Sequence, residues 1–201
     1  DLQRDRGKQR TRITTDNFVQ GVRVALPVLT AQGRRDGPLA VIMAGQHGPE
    51  LNGIAAIAHV FDQLDPEAIT GTVVFLPLMN PVGARVHHRS CSGGDANDLN
   101  RVWWDGPAPQ ERSCAREIAV TVWDKFLQHA DWMLDLHCCR RLMVPHAYAA
   151  KRDERMLRAF GIPCCRLATT PEVPSCPGMA MSWAATHGIP SVIGELPTSH
   201  T

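Results

Sequence analysis

The stretch LAVIMAGQHGPELNGIAAIAHVFDQL, residues 39–64, decides the fold of this chain. Its first six residues, 39–44, are apolar without interruption, which is typical of a strand buried on both faces. Over residues 52–64 the apolar positions recur at helical spacing, so one face of a helix is expected to be buried. A buried strand that leads directly into an amphipathic helix is the repeating unit of an α/β domain.

The same alternation continues along the rest of the chain. Further strands are predicted over residues 22–31, 72–78, 132–136 and 191–194, and further helices over residues 114–129, 152–160 and 178–187. This order predicts an α/β domain whose sheet is mostly parallel and carries helices on both faces. In such sheets ligands bind at the carboxyl ends of the strands.

The composition restricts the class of protein. With 201 residues, 44% of them hydrophobic, and a net charge of +1, we expect one soluble domain with a substantial core. That balance does not indicate a nucleic acid or a membrane surface as a partner. The seven cysteines form no C-x-x-C pair, so reduced thiols in a cytoplasmic protein are expected. The sequence shows neither a membrane-spanning run nor a signal peptide.

The domain is expected to occupy residues 22–201, after an N-terminal arm over residues 1–21. The arm is predicted because residues 1–12 are rich in charge, which is typical of a solvated segment. The sequence leaves the oligomeric state open, a homo-oligomer included.

Two histidines and a glutamate follow the ends of predicted strands. His47 and Glu50 are three residues apart where the chain leaves a strand for a helix, so both can aim a ligand atom at one point. Each also has a structural explanation, for example a first-turn glutamate favoured by the helix dipole. With His137, after the strand at 132–136, they predict a catalytic zinc site with three protein ligands and an open position for water. Asp135 points the same way as His137 on a strand and is expected to orient it.

A long polar loop over residues 82–109 contains three further candidates. Loops of this length in a compact domain are usually functional or disordered. Asn100 and Arg101 could grip a substrate carboxylate, the arginine in bidentate fashion. The structural alternative is a polar turn that Asp98 caps. Arg89 could polarise a carbonyl or hold an oxyanion, or it could be a solvated loop arginine.

Glu195 follows the last predicted strand. A carboxylate that faces a metal-bound water could serve as general base and then deliver the proton to a leaving amine. The structural alternative is a capping glutamate.

Five motifs occur in a fixed order: Gly45-x-His47-Gly48-x-Glu50-x-x-Gly53, Asn80-Pro81, Asp98-Leu99-Asn100-Arg101, Asp135-Leu136-His137 and Ile193-Gly194-Glu195-Leu196. The series resembles the succinylglutamate desuccinylase/aspartoacylase family, which is related to the zinc carboxypeptidases, over roughly residues 22–196. The resemblance implies a three-layer α/β/α fold with a central mixed, mostly parallel sheet. It also implies one catalytic zinc ion per chain and hydrolysis of the amide bond in a small N-acylated amino acid.

The resemblance further implies a role for each of seven residues. His47, Glu50 and His137 would bind zinc, and Glu195 would be the general base and acid. Asn100 and Arg101 would bind the substrate carboxylate. Arg89 would contact the scissile carbonyl. Family members commonly continue past the glutamate that corresponds to Glu195 into a smaller β-rich domain, which narrows the mouth of the pocket. The 201 residues stop before such a domain. Pro49 stands where the family often has an acidic residue. Little effect on metal binding is expected, since the ligands flank it.

Two other functions remain open at this point. A zinc carboxypeptidase acting on peptides would share the metal chemistry and the Asn-Arg pair. A non-catalytic zinc-binding protein would need only the ligands, and the presence of a base and a carboxylate clamp disfavours it. The sequence does not identify the acyl group or the amino acid of a substrate.

Overall fold

The computed structural model describes residues 6–17, 21, 23–91, 98–103, 113–139, 143–167 and 178–197. Within these ranges, eight strands form one sheet and five α-helices accompany it. The strands are β1 (Gly7–Thr14), β2 (Ala25–Gln32), β3 (Arg35–Ala44), β4 (Thr70–Leu76), β5 (Trp132–Cys138), β6 (His146–Ala149), β7 (Cys165–Leu167) and β8 (Ser191–Leu196). The helices are α1 (Asn52–Gln63), α2 (Pro81–Arg85), α3 (Cys114–Lys125), α4 (Glu154–Phe160) and α5 (Ala180–Thr186).

The strand order is β1-β2-β4-β3-β5-β8-β6-β7. The four central strands, β4, β3, β5 and β8, run parallel to one another. On either side of them, β2 is antiparallel to β4 and β6 is antiparallel to β8. This arrangement confirms the predicted mixed, mostly parallel sheet. Residues 39–44 of β3 are apolar without interruption, which follows from the place of this strand between two neighbours and two layers of helices.

Alternate residues of β3 face opposite layers of the core. Val41 and Met43 belong to a buried cluster that also contains residues of α3 and α5. Ala44, the last residue of β3, belongs to a second cluster with Ile57 and Phe61 of α1. Helices therefore cover both faces of the sheet, as the three-layer prediction requires.

The N-terminal segment differs from the sequence prediction. Residues 7–14, expected in a solvated arm, form the edge strand β1 and pair with β2 along its whole length. Lys8 and Arg10 lie over the ring of Phe61, and Arg10 also pairs with Asp62 at 2.7 Å. The prediction of an arm is wrong for these residues because lysine and arginine are also common on edge strands, where they discourage further strand pairing.

Three short elements were not predicted, namely β6, β7 and α2. Elements of three to five residues are too short for periodicity to identify. Helix α2 overlaps the start of the predicted loop at 82–109. It begins at Pro81 and is capped by Asn80, whose Oδ1 accepts a hydrogen bond from the Gly83 N–H at 2.8 Å. Among the described helices none has the length and apolar character that crossing a membrane requires.

Candidate metal centre

The turn that carries His47 and Glu50 follows β3 and lies against helix α2. Gly48 is so close to Gly83 that a β-carbon added at residue 48 would stand 2.2 Å from the Gly83 carbonyl carbon. Asn80 reinforces the contact, since its Nδ2 donates to the Gln46 carbonyl at 3.3 Å. A glycine at position 48 is therefore needed for the close backbone approach that places the turn.

Replacing Gly48 by alanine is expected to lower the free energy of unfolding by about 1–3 kcal/mol, because the added methyl group overlaps backbone that cannot move without displacing α2. Chemical denaturation of the variant measures the loss. Gly53→Ala is the matched comparison. A β-carbon added at residue 53 would lie 3.0 Å from the β-carbons of Ala44 and Leu136, which is a tight contact but not an overlap. An equal or larger loss at Gly53 would contradict the proposed role of the Gly48–Gly83 contact.

Three buried side chains converge at the carboxyl ends of β3 and β5. Glu50 Oε1 lies 2.7 Å from His47 Nδ1, and Glu50 Oε2 lies 3.0 Å from His137 Nδ1. The two Nδ1 atoms are 3.2 Å apart. The exposed fractions of His47, Glu50 and His137 are 3%, 9% and 3%. One ligand atom from each residue lies within 4.8 Å of the others, so the three could hold a metal ion.

A carboxylate holds the other ring nitrogen of each histidine. Asp98 Oδ1 lies 2.9 Å from His47 Nε2, and Asp135 Oδ2 lies 2.9 Å from His137 Nε2. With each Nε2–H donating to its carboxylate, both Nδ1 atoms present lone pairs to each other and to Glu50. Three electron-pair donors so close together repel unless a positive charge lies between them. The donor set therefore fits a metal ion.

The electrostatics of the cluster agree with this fit. Burial alone would raise the pKa of Glu50, but hydrogen bonds and charge from His137 and His47 lower it to about 2. Burial alone would lower the pKa of His137, whereas the charges and hydrogen bonds of Asp135 and Glu50 raise it well above its ordinary value. The cluster thus keeps Glu50 ionised and favours positive charge at its centre.

Asp98 is a site residue that sequence reasoning missed, since it was considered only as a cap. It does cap the turn Leu99–Arg101, through a 2.9 Å bond from the Asn100 N–H, and the same oxygen contacts His47. The pKa of Asp98 would rise on burial alone, but His47, Arg89 and the Asn100 amide lower it. A signal was available, because metal-binding histidines almost always donate their second N–H to an oxygen acceptor.

The structure brings Arg89 and Asn100 to the cluster. Arg89 Nε donates to Asp98 at 2.9 Å, its Nη1 is 3.6 Å from Glu50, and its side chain is 51% exposed. Asn100 is buried, with Nδ2 3.3 Å from His137 Nε2 and Oδ1 accepting from the Ala180 N–H at 2.9 Å. Asn100 therefore offers a ligand only its N–H groups.

Arg101 is placed differently from Arg89. It is exposed, and its Nη1 donates to the carbonyl of Asn100 at 2.6 Å. Among the described residues, no hydrogen bond or ion pair joins its guanidinium group to any of the three candidate metal ligands. The structure thus leaves this side chain at the surface beside the cluster.

Glu195 lies on β8, in register with His137 on β5 and with His146 on β6. Its carboxylate makes no hydrogen bond with any residue in the described ranges. Burial raises the pKa of Glu195, the charges of Glu50 and Asp135 raise it further, and the two histidines oppose the shift. A carboxyl group of this kind can take up and release a proton next to a metal ion.

Comparison with known proteins gives a match to one family. The model of the succinylglutamate desuccinylase/aspartoacylase catalytic domain matches residues 36–198. N-alpha-acetyl-L-2,4-diaminobutyric acid deacetylase from Halomonas elongata is 31% identical over an alignment of 161 residues, and the alignment covers 75% of this chain and 45% of that protein.

Solved structures show the same fold. An aspartoacylase family protein from Mesorhizobium loti superposes with a TM-score of 0.80 at 23% identity, covering 98% of this chain and 63% of that one. The product-bound Ectoine utilization protein EutE (DoeB) from Ruegeria pomeroyi gives 0.81 at 22% identity, covering 97% and 61%. This chain spans less than two thirds of the length of each of these three relatives.

Proposed function

Because the chain belongs to the succinylglutamate desuccinylase/aspartoacylase family, we propose that it carries the zinc-binding catalytic centre of a deacylase. The reaction would be hydrolysis of the amide bond in a small N-acylated amino acid. The observation that carries the proposal is the convergence of His47 Nδ1, the Glu50 carboxylate and His137 Nδ1, with Glu195 on the neighbouring strand. The name of the Halomonas elongata relative, a deacetylase of an N-acetylated amino acid, supports the substrate class.

His47, Glu50 and His137 would hold one zinc ion. Two imidazole nitrogens and one carboxylate suit zinc better than magnesium or calcium, which prefer oxygen ligands. Three protein ligands are also the number found in catalytic zinc sites. A zinc ion bound there would supply a Lewis acid that lowers the pKa of water toward about 7 and polarises a carbonyl group.

Glu195 would move the proton. Its carboxylate would accept a proton from the attacking water, whose oxygen forms a bond to the acyl carbon. As the carbon–nitrogen bond breaks, Glu195 would pass that proton to the nitrogen of the leaving amine. The raised pKa of Glu195 suits the second step, because the protonated form must persist until the amine departs.

The remaining candidates would hold the substrate. Arg89 reaches within 3.6 Å of Glu50 and is half exposed, so its guanidinium could hold the oxygen of the scissile carbonyl as charge develops. Arg101 and the N–H groups of Asn100 would bind the substrate carboxylate. For this Arg101 must turn away from the carbonyl of Asn100, to which it now donates.

Replacing Asp98 by asparagine is expected to weaken zinc binding about tenfold. The neutral amide still accepts from the His47 Nε2–H, but it no longer increases the basicity of the ring. Competition with a chromogenic chelator measures the zinc dissociation constant. Asp65→Asn is the control, since Asp65 also caps a 3-10 turn, Pro66–Ala68, away from the cluster. Equal zinc affinity in the two variants would contradict a role for Asp98 in metal binding.

A substrate panel tests the proposed function. The protein, loaded with zinc, is assayed for amine release from N-acetyl and N-succinyl amino acids and from N-blocked dipeptides. Turnover of the N-acyl amino acids with little cleavage of the dipeptides is expected. Preferential cleavage of the dipeptides would favour the carboxypeptidase alternative. Inactivity on the whole panel would favour a non-catalytic zinc-binding protein.

A further inference from the structure

A series of buried hydrogen bonds runs from Trp103 through Gln46 and Asp135 to His137. Trp103 Nε1 donates to Gln46 Oε1 at 3.0 Å, and Gln46 Nε2 donates to Asp135 Oδ2 at 2.7 Å. The same Asp135 oxygen lies 2.9 Å from His137 Nε2. The exposed fractions of the four residues are 1%, 0%, 0% and 3%. Buried polar groups without other partners depend on such bonds.

The chemistry of the two ends fixes the direction of the series. The indole of Trp103 can only donate a hydrogen bond, and an ionised Asp135 can only accept one. The amide of Gln46 has nearly the same shape in its two orientations, so its partners decide which way it points. With Trp103 on one side, the amide oxygen must face the indole and the NH₂ group must face Asp135.

Asp135 depends on this support. Within the described part of the chain, its Oδ1 is buried and has no hydrogen-bond partner, so Oδ2 makes its side-chain hydrogen bonds. Without the Gln46 N–H, the side chain of Asp135 would keep only its hydrogen bond to His137. Trp103 is itself well anchored: its ring belongs to the cluster of Val41 and its backbone N–H donates to the Gly178 carbonyl at 3.0 Å.

We propose that Gln46 and Trp103 are positioning residues of the metal centre. They hold Asp135 so that it accepts the Nε2–H of His137, which leaves His137 Nδ1 as the atom that faces Glu50 and the metal. This role was not assigned to either residue from the sequence, and it rests on the proposed function in that the site binds zinc. Partners one step beyond the ligands typically change metal affinity by about 10- to 100-fold.

The test is the zinc dissociation constant of Gln46→Met, Trp103→Phe and the double variant, measured by chelator competition. Gln46→Met is expected to weaken zinc binding about tenfold, because it removes the donor to Asp135. Trp103→Phe should weaken it less, since the amide remains. The double variant should match Gln46→Met, because the series is already broken there. Trp123→Phe is the control, since that indole packs against Trp183 and takes no part in the series.

A second measurement separates positioning from general folding. The melting temperature of each variant is recorded without zinc and with it, since a bound ligand raises stability according to its affinity. A positioning role predicts a smaller zinc-induced rise in Gln46→Met than in the wild type. An unchanged rise together with an unchanged dissociation constant, or additive losses in the double variant, would overturn the inference. A wild-type protein without zinc affinity would instead overturn the proposed function, and this inference with it.

Discussion

Alanine in place of His137 is expected to weaken zinc binding by at least about 100-fold. Structural zinc in zinc-finger peptides has apparent binding free energies of about 10–16 kcal/mol at neutral pH, so one ligand of four contributes about 3 kcal/mol on that scale. The loss should be larger than that average suggests. His137 is buried, and its removal leaves Asp135 without one of its two hydrogen-bond partners. Elemental analysis after dialysis and chelator competition measure the effect.

His59→Ala is the matched control for this experiment. His59 is exposed on α1 and lies outside the cluster. That variant should retain one equivalent of zinc with wild-type affinity. If His137→Ala also retained one equivalent at wild-type affinity, the proposed set of ligands would be refuted.

Glutamine in place of Glu195 is expected to lower turnover by about 10²- to 10⁴-fold while zinc content stays at one equivalent. General acid–base catalysis by a positioned side chain typically contributes a factor of that size. The amide is nearly isosteric with the carboxylate, but it can neither take the proton from water nor return it to the amine. The measurement is the steady-state rate on the best substrate of the panel, together with the metal content of the same preparation.

Glu154→Gln is the control for Glu195→Gln. Glu154 lies on α4 and pairs with Arg158 at the surface, where an ion pair contributes little. It should keep wild-type turnover and zinc content. Full activity in Glu195→Gln would exclude Glu195 as the general base, and loss of zinc in that variant would assign it a place among the metal ligands.

The centre of the fold could be predicted from local sequence. Residues 39–44 are all apolar, and so are residues 132–136 apart from Asp135, because each strand has a neighbour on both sides and a helix layer on both faces. The edges could not be predicted in this way. Strand β1 has a polar, charged sequence that also suits a solvated segment, and its pairing with β2 decides between the two. Strand β7, with three residues, is defined only by its partner β6.

Part of the candidate site was also predictable. His47, Glu50 and His137 each follow a predicted strand, and the carboxyl ends of parallel strands meet at one edge of a sheet. Asp135 could be expected beside His137 because the two residues alternate on one strand, but the partners from distant parts of the chain could not be predicted in this way. Asp98 contacts a histidine 51 residues away, and Gln46 contacts an aspartate 89 residues away. Only the folded chain brings such groups together.

The most direct test is the rate of amine release from an N-acyl amino acid as zinc is added to the metal-free protein. The expected rate is negligible at the start and rises in proportion to the zinc added. It should reach its plateau at one equivalent per chain, because His47, Glu50 and His137 could together hold one metal ion. Amine release at full rate by the metal-free protein would contradict zinc-dependent deacylation. So would a protein that binds one equivalent of zinc tightly and releases no amine.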